Sequence, residues 1–489
     1  MISSIWLVGV VVLPLAAVVV LLIWQKATKL QAGVVALVSE GLSLLIPFLL
    51  LPRLRQDGGV FFSLAWIENL RINFSLELNW LSLVFLVMEM AVTLAAIIYS
   101  LGEDTGEKSS NHYYALLLLF SLGMSGTTLA EDVFVFYIFW ELMLLASVLL
   151  ILIWGHGEER GKVSLKYFIV THLGSLIVLV GLITLYVNVG SSSLSVLVEE
   201  AGSLPLQMQR TLTALFVIGF SVKMAIFPLH IWLPDAHTVA PMPVTIILAA
   251  AMLSMGTYGI LRFPFSLFPL EALQPFSLWM MIAGLISEVY GALMAFAEKD
   301  VKRIIAYSSV SQMGYILFGL GSLTETGMQG AVMHVVYHAI VKGLLFMVVG
   351  IIIQATQERD IRKLGGLGKA LPAVCLTAAV GALGISGMPP LGIFNSEWMI
   401  FSGGFETGFP AILTIGTLLG SIFTVIYALR FFGVIFLGDQ RPEKLPKTAS
   451  RALIVPTVAV AVLLLLEGIL PGPLLSWVVR GVQGVVGGL

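Results

Sequence analysis

The sequence predicts an all-α polytopic membrane protein of 14 transmembrane helices, built around two inverted five-helix repeats (helices 4–8 and 9–13) whose members 7 and 12 are broken. Three observations carry this. The 489 residues are 58% apolar and only 11% charged, whereas a soluble chain is about 25% charged, and the mean hydropathy is +1.00. Apolar runs of about 20 residues, the length that crosses the hydrocarbon as a helix, recur along the whole chain. Proline interrupts two of these runs at corresponding places in the two halves, at Pro228 and at Pro389 and Pro390.

Spans are expected to begin near residues 4, 30, 79, 113, 132, 163, 211, 242, 275, 303, 327, 371, 412 and 452. The first lacks the basic stretch that begins a secretory signal, so the run to Trp24 reads as a retained span rather than a leader. Residues 1–112 then hold helices 1–3, residues 113–262 the first repeat, residues 263–437 the second, and residues 438–489 helix 14. Only the stretches near 52–78 and 190–210 are long loops, and no water-soluble domain fits between spans.

Orientation follows from the 26 lysines and arginines. With the N-terminus outside, sixteen fall on inner loops, among them Lys26, Lys29, Lys108, Lys299, Arg359, Arg441, Lys444 and Lys447, and six on outer ones, Arg71 included. Basic loops stay on the cytoplasmic side. Both termini are therefore expected outside a prokaryotic plasma (inner) membrane.

Composition also excludes functions. A net charge of -2 without a basic patch or a Gly-rich phosphate loop points away from nucleic acid. One cysteine, Cys375, allows neither an internal disulfide nor an iron–sulfur cluster, which needs several thiolates. No cofactor is expected in this chain, and any redox step belongs to another one.

What remains is a set of ionisable residues inside the spans. Lys166, Lys223, Lys342 and Arg430 face Glu40, Glu89, Glu141, His172, Glu288, His334, His338, Glu397 and Glu467 as embedded counterparts. A charge at the bilayer centre costs about 2.5 to 3.5 kcal/mol, so such residues mark ion or proton paths unless they are structural pairs or snorkel to the interface. Their layout repeats. Lys166 precedes Lys223 by 57 residues and Lys342 precedes Glu397 by 55, with the later member of each pair in a proline-broken span. Broken spans at matching places point to inverted repeats with ion sites near the midplane.

His334, His338 and Lys342 stand at i, i+4 and i+8 on one predicted helix, a stripe about 12 Å long. Imidazole accepts on one nitrogen while donating from the other, so the stripe can pass protons through water. The i, i+4 histidine spacing also suits a metal, but Lys342 would repel a cation and no third ligand is evident, so no metal is expected. Glu141 sits in FYIFWELM beside Trp140. A carboxylate near Lys223 would hold the ammonium charged, and its withdrawal would release the proton, which defines a pump stroke.

FPLHIWLPDAH (227–237), AYSSVSQMGY (306–315), HAIVKGLLF (338–346) and FYIFWELM together resemble the antiporter-like subunits of respiratory complex I, the Mrp cation/proton antiporters, and the membrane-bound hydrogenase and sulfur reductase complexes. The resemblance spans nearly all fourteen helices. It implies that Glu141, Lys166, Lys223, His338, Lys342 and Glu397 belong to a midplane chain of polar side chains and water, with half-channels at each face. It also implies that His230, Asp235 and His237 cap the broken helix 7 and its inner entrance; anchoring of a loop is the competing role.

Two departures from the family pattern stand out. Where the M-type subunit of complex I carries a helix-8 lysine, AMLSMGTYG offers Ser254, and Glu288 in ISEVYGALMAF is an extra embedded acid placed to compensate for it. Lys342 with His334 resembles the L-type subunit or Mrp D, while Glu397 resembles the M-type. An L-type subunit adds a long lateral helix after its last spans; this sequence stops at Leu489, which favours an M-type or Mrp D-like place.

Two functions compete on this reading. One is a cofactor-free, ion-translocating subunit of a redox-driven complex, partnered by further antiporter-like and small helical subunits, with iron–sulfur proteins elsewhere in the assembly. The other is a D-type subunit of an Mrp sodium/proton antiporter with no redox step. The axis of Lys and His suits protons better than sodium, which prefers several oxygen ligands.

Overall fold

The computed structural model describes residues 2–24, 26–70, 72–103, 109–439 and 450–486. Lys108, Arg441, Lys444 and Lys447 of the inner loops, and Arg71 of the outer ones, lie outside these residues.

The chain is helical nearly throughout. Helices α1 (Ile2–Ile23) and α2 (Lys29–Asp57) are followed by strands β1 (Val60–Ile67) and β2 (Ile72–Leu78), then α3 (Trp80–Gly102), α4 (Ser110–Leu129), α5 (Val133–Trp154) and α6 (Arg160–Val189). The middle of the chain holds α7 (Leu194–Glu200), α8 (Leu206–Lys223), α9 (Leu233–Val239) and α10 (Met242–Phe265). After these come α11 (Leu270–Ala297), α12 (Val301–Gly321), α13 (Glu325–Thr356), α14 (Pro372–Ile385), α15 (Gly392–Glu406) and α16 (Ile412–Phe436), and α17 (Arg451–Ile469) and α18 (Gly472–Val486) close the order.

Eleven of these helices are long and apolar enough to cross a membrane. The predicted spans near 113, 211 and 371 correspond to α4, α8 and α14, which are more polar or shorter. Local chemistry sets the ends. Thr28 and Asn79 form capping boxes with Gln31 and Ser82, and Asp132 and Asp300 accept from the first free N–H groups of α5 and α12. Gly58 and Gly190, at φ 78° and 81°, terminate α2 and α6 in the left-handed conformation that favours glycine.

The stretch expected as a loop at 52–78 is more ordered than that. Helix α2 continues to Asp57, and β1 and β2 pair antiparallel as a hairpin. A bridge from Leu76 to Ala130 ties the hairpin to the α4–α5 connection, which a bridge from Asp132 to Ser193 joins to the segment before α7, so tertiary pairing supplies partners for strands that would be marginal alone.

Burial separates a centre from a rim. Apart from the partly buried Arg262 and Arg303, α10 and α12 are enclosed, as is most of α13, while α1, α2, α6, α16 and α17 leave more than half of their residues short of full burial. Lipid offers no hydrophobic reason for helices to associate, so close packing through small residues matters. A Cβ at Gly123 would collide with the α5 backbone at Met143, and one at Gly314 with the α11 backbone at Glu288. Thus the same two neighbours, α4 with α5 and α11 with α12, are clamped through glycine in each half. Helix α10 is not uniform: Leu248–Met252 and Leu261–Phe265 are π-turns, which displace backbone groups and occur often at functional sites.

Candidate functional site

In the first half, the break after α8 leaves Lys223 as its last residue, at the end of a helix where carbonyl groups favour a cation. The side chain is buried, its Nζ lies 5.1 Å from the centre of the Trp140 ring, and it makes no hydrogen bond. Glu141, one residue further along α5, instead binds His172 of α6 through Oε2 and Nδ1 at 3.1 Å, and His172 stacks on Phe168. Its other oxygen, Oε1, has no partner. The direct Glu141–Lys223 pair expected from sequence is therefore not formed here. Trp140 takes the ammonium and His172 takes the carboxylate.

Lys166 lies only about 9 Å along α6 from its start. Its Nζ donates to Asp235 Oδ2 of α9 at 2.8 Å, and Asp235 Oδ1 accepts from Arg303 Nη1 of α12 at 2.8 Å. Arg303 Nε continues the network to Glu298 Oε1 at 2.9 Å. Lys166 and Asp235 thus meet at the end of the bundle that carries α9, partly open to solvent. Nearby, His230 is buried among the rings of Phe227 and Tyr290, with Nδ1 unpartnered. His237 is fully buried against Phe346, and neither ring nitrogen has a partner.

The second half holds the denser cluster. His334, His338 and Lys342 lie on α13, all fully buried. His334 reaches Ser396 Oγ through Nδ1 and Gln312 Oε1 through Nε2, both at 3.0 Å. Lys342 Nζ donates to the carbonyl of Ile305 at 3.1 Å and to Ser308 Oγ. His338 makes no hydrogen bond within the chain, yet it shares the electrostatic field of Lys342, His334 and His237. Glu397, in the second turn of α15 after the break, is buried with Oε1 unpartnered, and a Cβ at Gly387 would collide with its Oε2. Glu288 is enclosed against Gly420, close to Tyr315, Thr417 and Glu397. It therefore groups with that terminal acid. Ser254, in α10, gives its hydroxyl to the carbonyl of Ala250.

Three side chains of this arrangement, Gln312, Ser308 and Ser396, stand outside the set expected from sequence, and a fourth, His172, is expected there only as an embedded residue without a partner. His172 is an embedded imidazole that sequence spacing does not connect to Glu141. Ser308 and Gln312 recur at i and i+4 within AYSSVSQMGY, a polar stripe in an apolar helix that would have revealed them. Among the described residues no group of three or more His, Cys, Asp or Glu side chains is placed to hold a metal ion.

The site therefore collects groups able to hold a proton: imidazoles, amines and carboxyls are buried, several keep nitrogen or oxygen atoms without a hydrogen-bond partner, and hydroxyl and amide groups contact His334 and Lys342. The family described as NADH:quinone oxidoreductase/Mrp antiporter, TM matches residues 130–424. NADH-quinone oxidoreductase subunit M of Escherichia coli (strain K12) is 34% identical over 468 residues, covering 90% of this chain and 90% of that protein. A chain of the Mrp complex from Dietzia sp. DQ12-45-1b superposes with a TM-score of 0.88 at 27% identity; the match covers 100% of this chain but 52% of that one, so this chain spans about half the length of that relative. A chain of the membrane-bound sulfane sulfur reductase, an archaeal respiratory membrane complex, gives 0.86 at 28% identity over 96% of this chain and 76% of that one.

Proposed function

The chain belongs to the NADH:quinone oxidoreductase/Mrp antiporter transmembrane family, and from that premise we propose that it carries protons along the Lys, His and Glu side chains described above. It is a multi-pass membrane subunit of a complex I-related proton-translocating complex. One observation supports the route most directly. Each half buries an ammonium group that meets no carboxylate: Lys223 rests on Trp140, and Lys342 on a carbonyl and a hydroxyl. Burial this deep is expensive for a fixed charge, so an amine kept there without a counter-ion suits a group that gains and loses a proton.

On this reading Glu141 moves between His172 and Lys223, and the lysine is charged when the carboxylate is near. Protons then pass by Lys342, His338 and His334 toward Glu397, with Ser308, Gln312 and Ser396 as relays and Glu288 beside the last acid. His230, Asp235 and His237, with Lys166, form the entrance at the α9 end, and Ser254 lines α10 between the halves. On the same reading residues 113–262 and 263–437 act as paired repeats, and both termini lie outside, which the excess of Lys and Arg on the opposite loops supports.

In proteoliposomes of the purified complex, Lys223→Ala and Lys342→Ala are each expected to lower proton uptake at least about tenfold, with the complex still assembled. Wild-type uptake in both variants would overturn the route. The likeness to the Mrp chain favours sodium/proton antiport as the second reading. Uptake that needs sodium and ignores the electron donor would select it.

A further inference from the structure

A second group of embedded acids lies away from this route, between α2, α3 and α4. Glu40 of α2 and Glu89 of α3 are both fully buried, and neither joins an ion pair among the described residues. One stripe of α4 connects them. Ser121 Oγ donates to Glu40 Oε1 at 2.7 Å, and one turn on Ser125 bonds back to the Ser121 carbonyl at 3.1 Å. Thr128 Oγ1 then approaches Glu89 Oε2 at 3.4 Å. Seven residues of α4 separate the two ends, a rise of about 10 Å.

The group is unfinished. Glu40 Oε2 and Glu89 Oε1 have no partner, and neither do the enclosed hydroxyls of Ser39 and Ser43 on α2 or Thr93 on α3. Ser43 lies three residues from Glu40 and Thr93 four from Glu89, so each shares a helix face with its acid. Buried polar atoms are seldom left unbonded, and several around one place imply water or a proton between them.

Its far end touches the functional core. The Tyr258 hydroxyl of α10 donates to the Thr128 carbonyl at 2.6 Å, and Tyr258 meets Phe85 of α3 with ring centres 5.1 Å apart. Glu89 is one turn beyond Phe85, and Ser254 one turn from Tyr258, so the acid column abuts the π-turned helix that lies between the two halves. Among the described residues the charged or titratable groups facing this column are Glu40 from α2, Glu89 from α3 and Tyr258 from α10, and Tyr258 in turn faces the paired Arg262 of α10 and Glu77 of β2; the stripe of α4 offers hydroxyls alone.

We propose that Glu40 and Glu89 form a proton-holding carboxyl pair, a hydrated side branch that joins the midplane route at α10 through Thr128 and Tyr258. Two carboxylates in lipid without a cation cannot both stay ionised, so at least one carries a proton. A proton arriving as hydronium adds to an unpartnered carboxylate oxygen and leaves water behind. The reverse step returns it to the route. The role of this branch in transport rests on the proposed function, but its protonation does not.

Two readouts keep the two apart. In infrared spectra of the intact complex, the deuterium-sensitive C=O band of protonated carboxyls should weaken in Glu89→Gln and again in Glu40→Gln/Glu89→Gln. Proton uptake should fall about tenfold in Glu89→Gln and recover in Glu89→Asp, which a merely structural role would not produce. An unchanged carboxyl band in the double variant would overturn the pair. Wild-type uptake in Glu89→Gln, while Lys223→Ala abolishes uptake, would overturn the branch and leave the main route standing. If Lys223→Ala also transports normally, the main route is what fails, and the infrared band still decides the pair.

Discussion

The side chain that most alters the picture is His172. It holds Glu141 at 3.1 Å while Lys223 rests on Trp140, so the proposed switch would have three stations rather than two. Glu141→Gln should weaken the contact with His172 and the proposed approach to Lys223, because a neutral amide neither accepts strongly from His172 nor stabilises an ammonium. Its proton uptake is expected to fall by about one to two orders of magnitude. His172→Ala is expected to act in the opposite sense on Lys223, freeing Glu141 to approach it and keeping the lysine charged. Proton-release kinetics on a single turnover should then show a slowed release with normal uptake; unaltered release in His172→Ala would remove the third station. The embedded acids and bases themselves were readable from sequence, since each stands in an apolar run. Their partners were not, because helical rotation decides which of two adjacent residues, Trp140 or Glu141, meets a given neighbour.

At the scale of elements, the two broken spans do different things with the same device. The α8 break puts Lys223 at a helix C-terminus, where the dipole favours its charge. The second break opens α15 upstream of Glu397, which lies in the second turn, where that effect has mostly decayed. Prolines in the sequence located both breaks, but neither the β1–β2 hairpin nor the π-turns of α10 were legible, for each depends on contacts with distant segments. The glycine-mediated crossings are likewise tertiary. Gly314→Leu would drive a side chain into the α11 backbone near Glu288, and overpacking of this kind costs about 1 to 3 kcal/mol. A lowered thermal midpoint of the detergent-solubilised complex is expected, whereas Gly343→Leu, whose Cβ meets open space, should leave it near wild type. Equal midpoints for the two variants would mean that the α11–α12 crossing is not tight.

For the whole molecule, the hairpin, α7 and α18 belong to segments that the basic-residue bias assigns to the outside, and the opposite loops carry most of the lysines and arginines. Impermeant maleimide applied to intact cells in a Cys375→Ser background should therefore label Ser476→Cys and spare Lys162→Cys until the membrane is opened; both positions are exposed. Labelling in the reverse order would invert the topology. By itself the sequence determined that this is a many-spanning membrane protein with titratable side chains inside the lipid, since hydropathy and the cost of burying charge act on each segment alone. Only the tertiary structure decided that Glu141 answers to His172, that Lys342 hangs from Ser308, and that Glu40 and Glu89 share one column of hydroxyls. Those pairings join residues up to 81 positions apart, and no local rule reaches across that distance: it takes the packing of one helix against another to choose which faces meet.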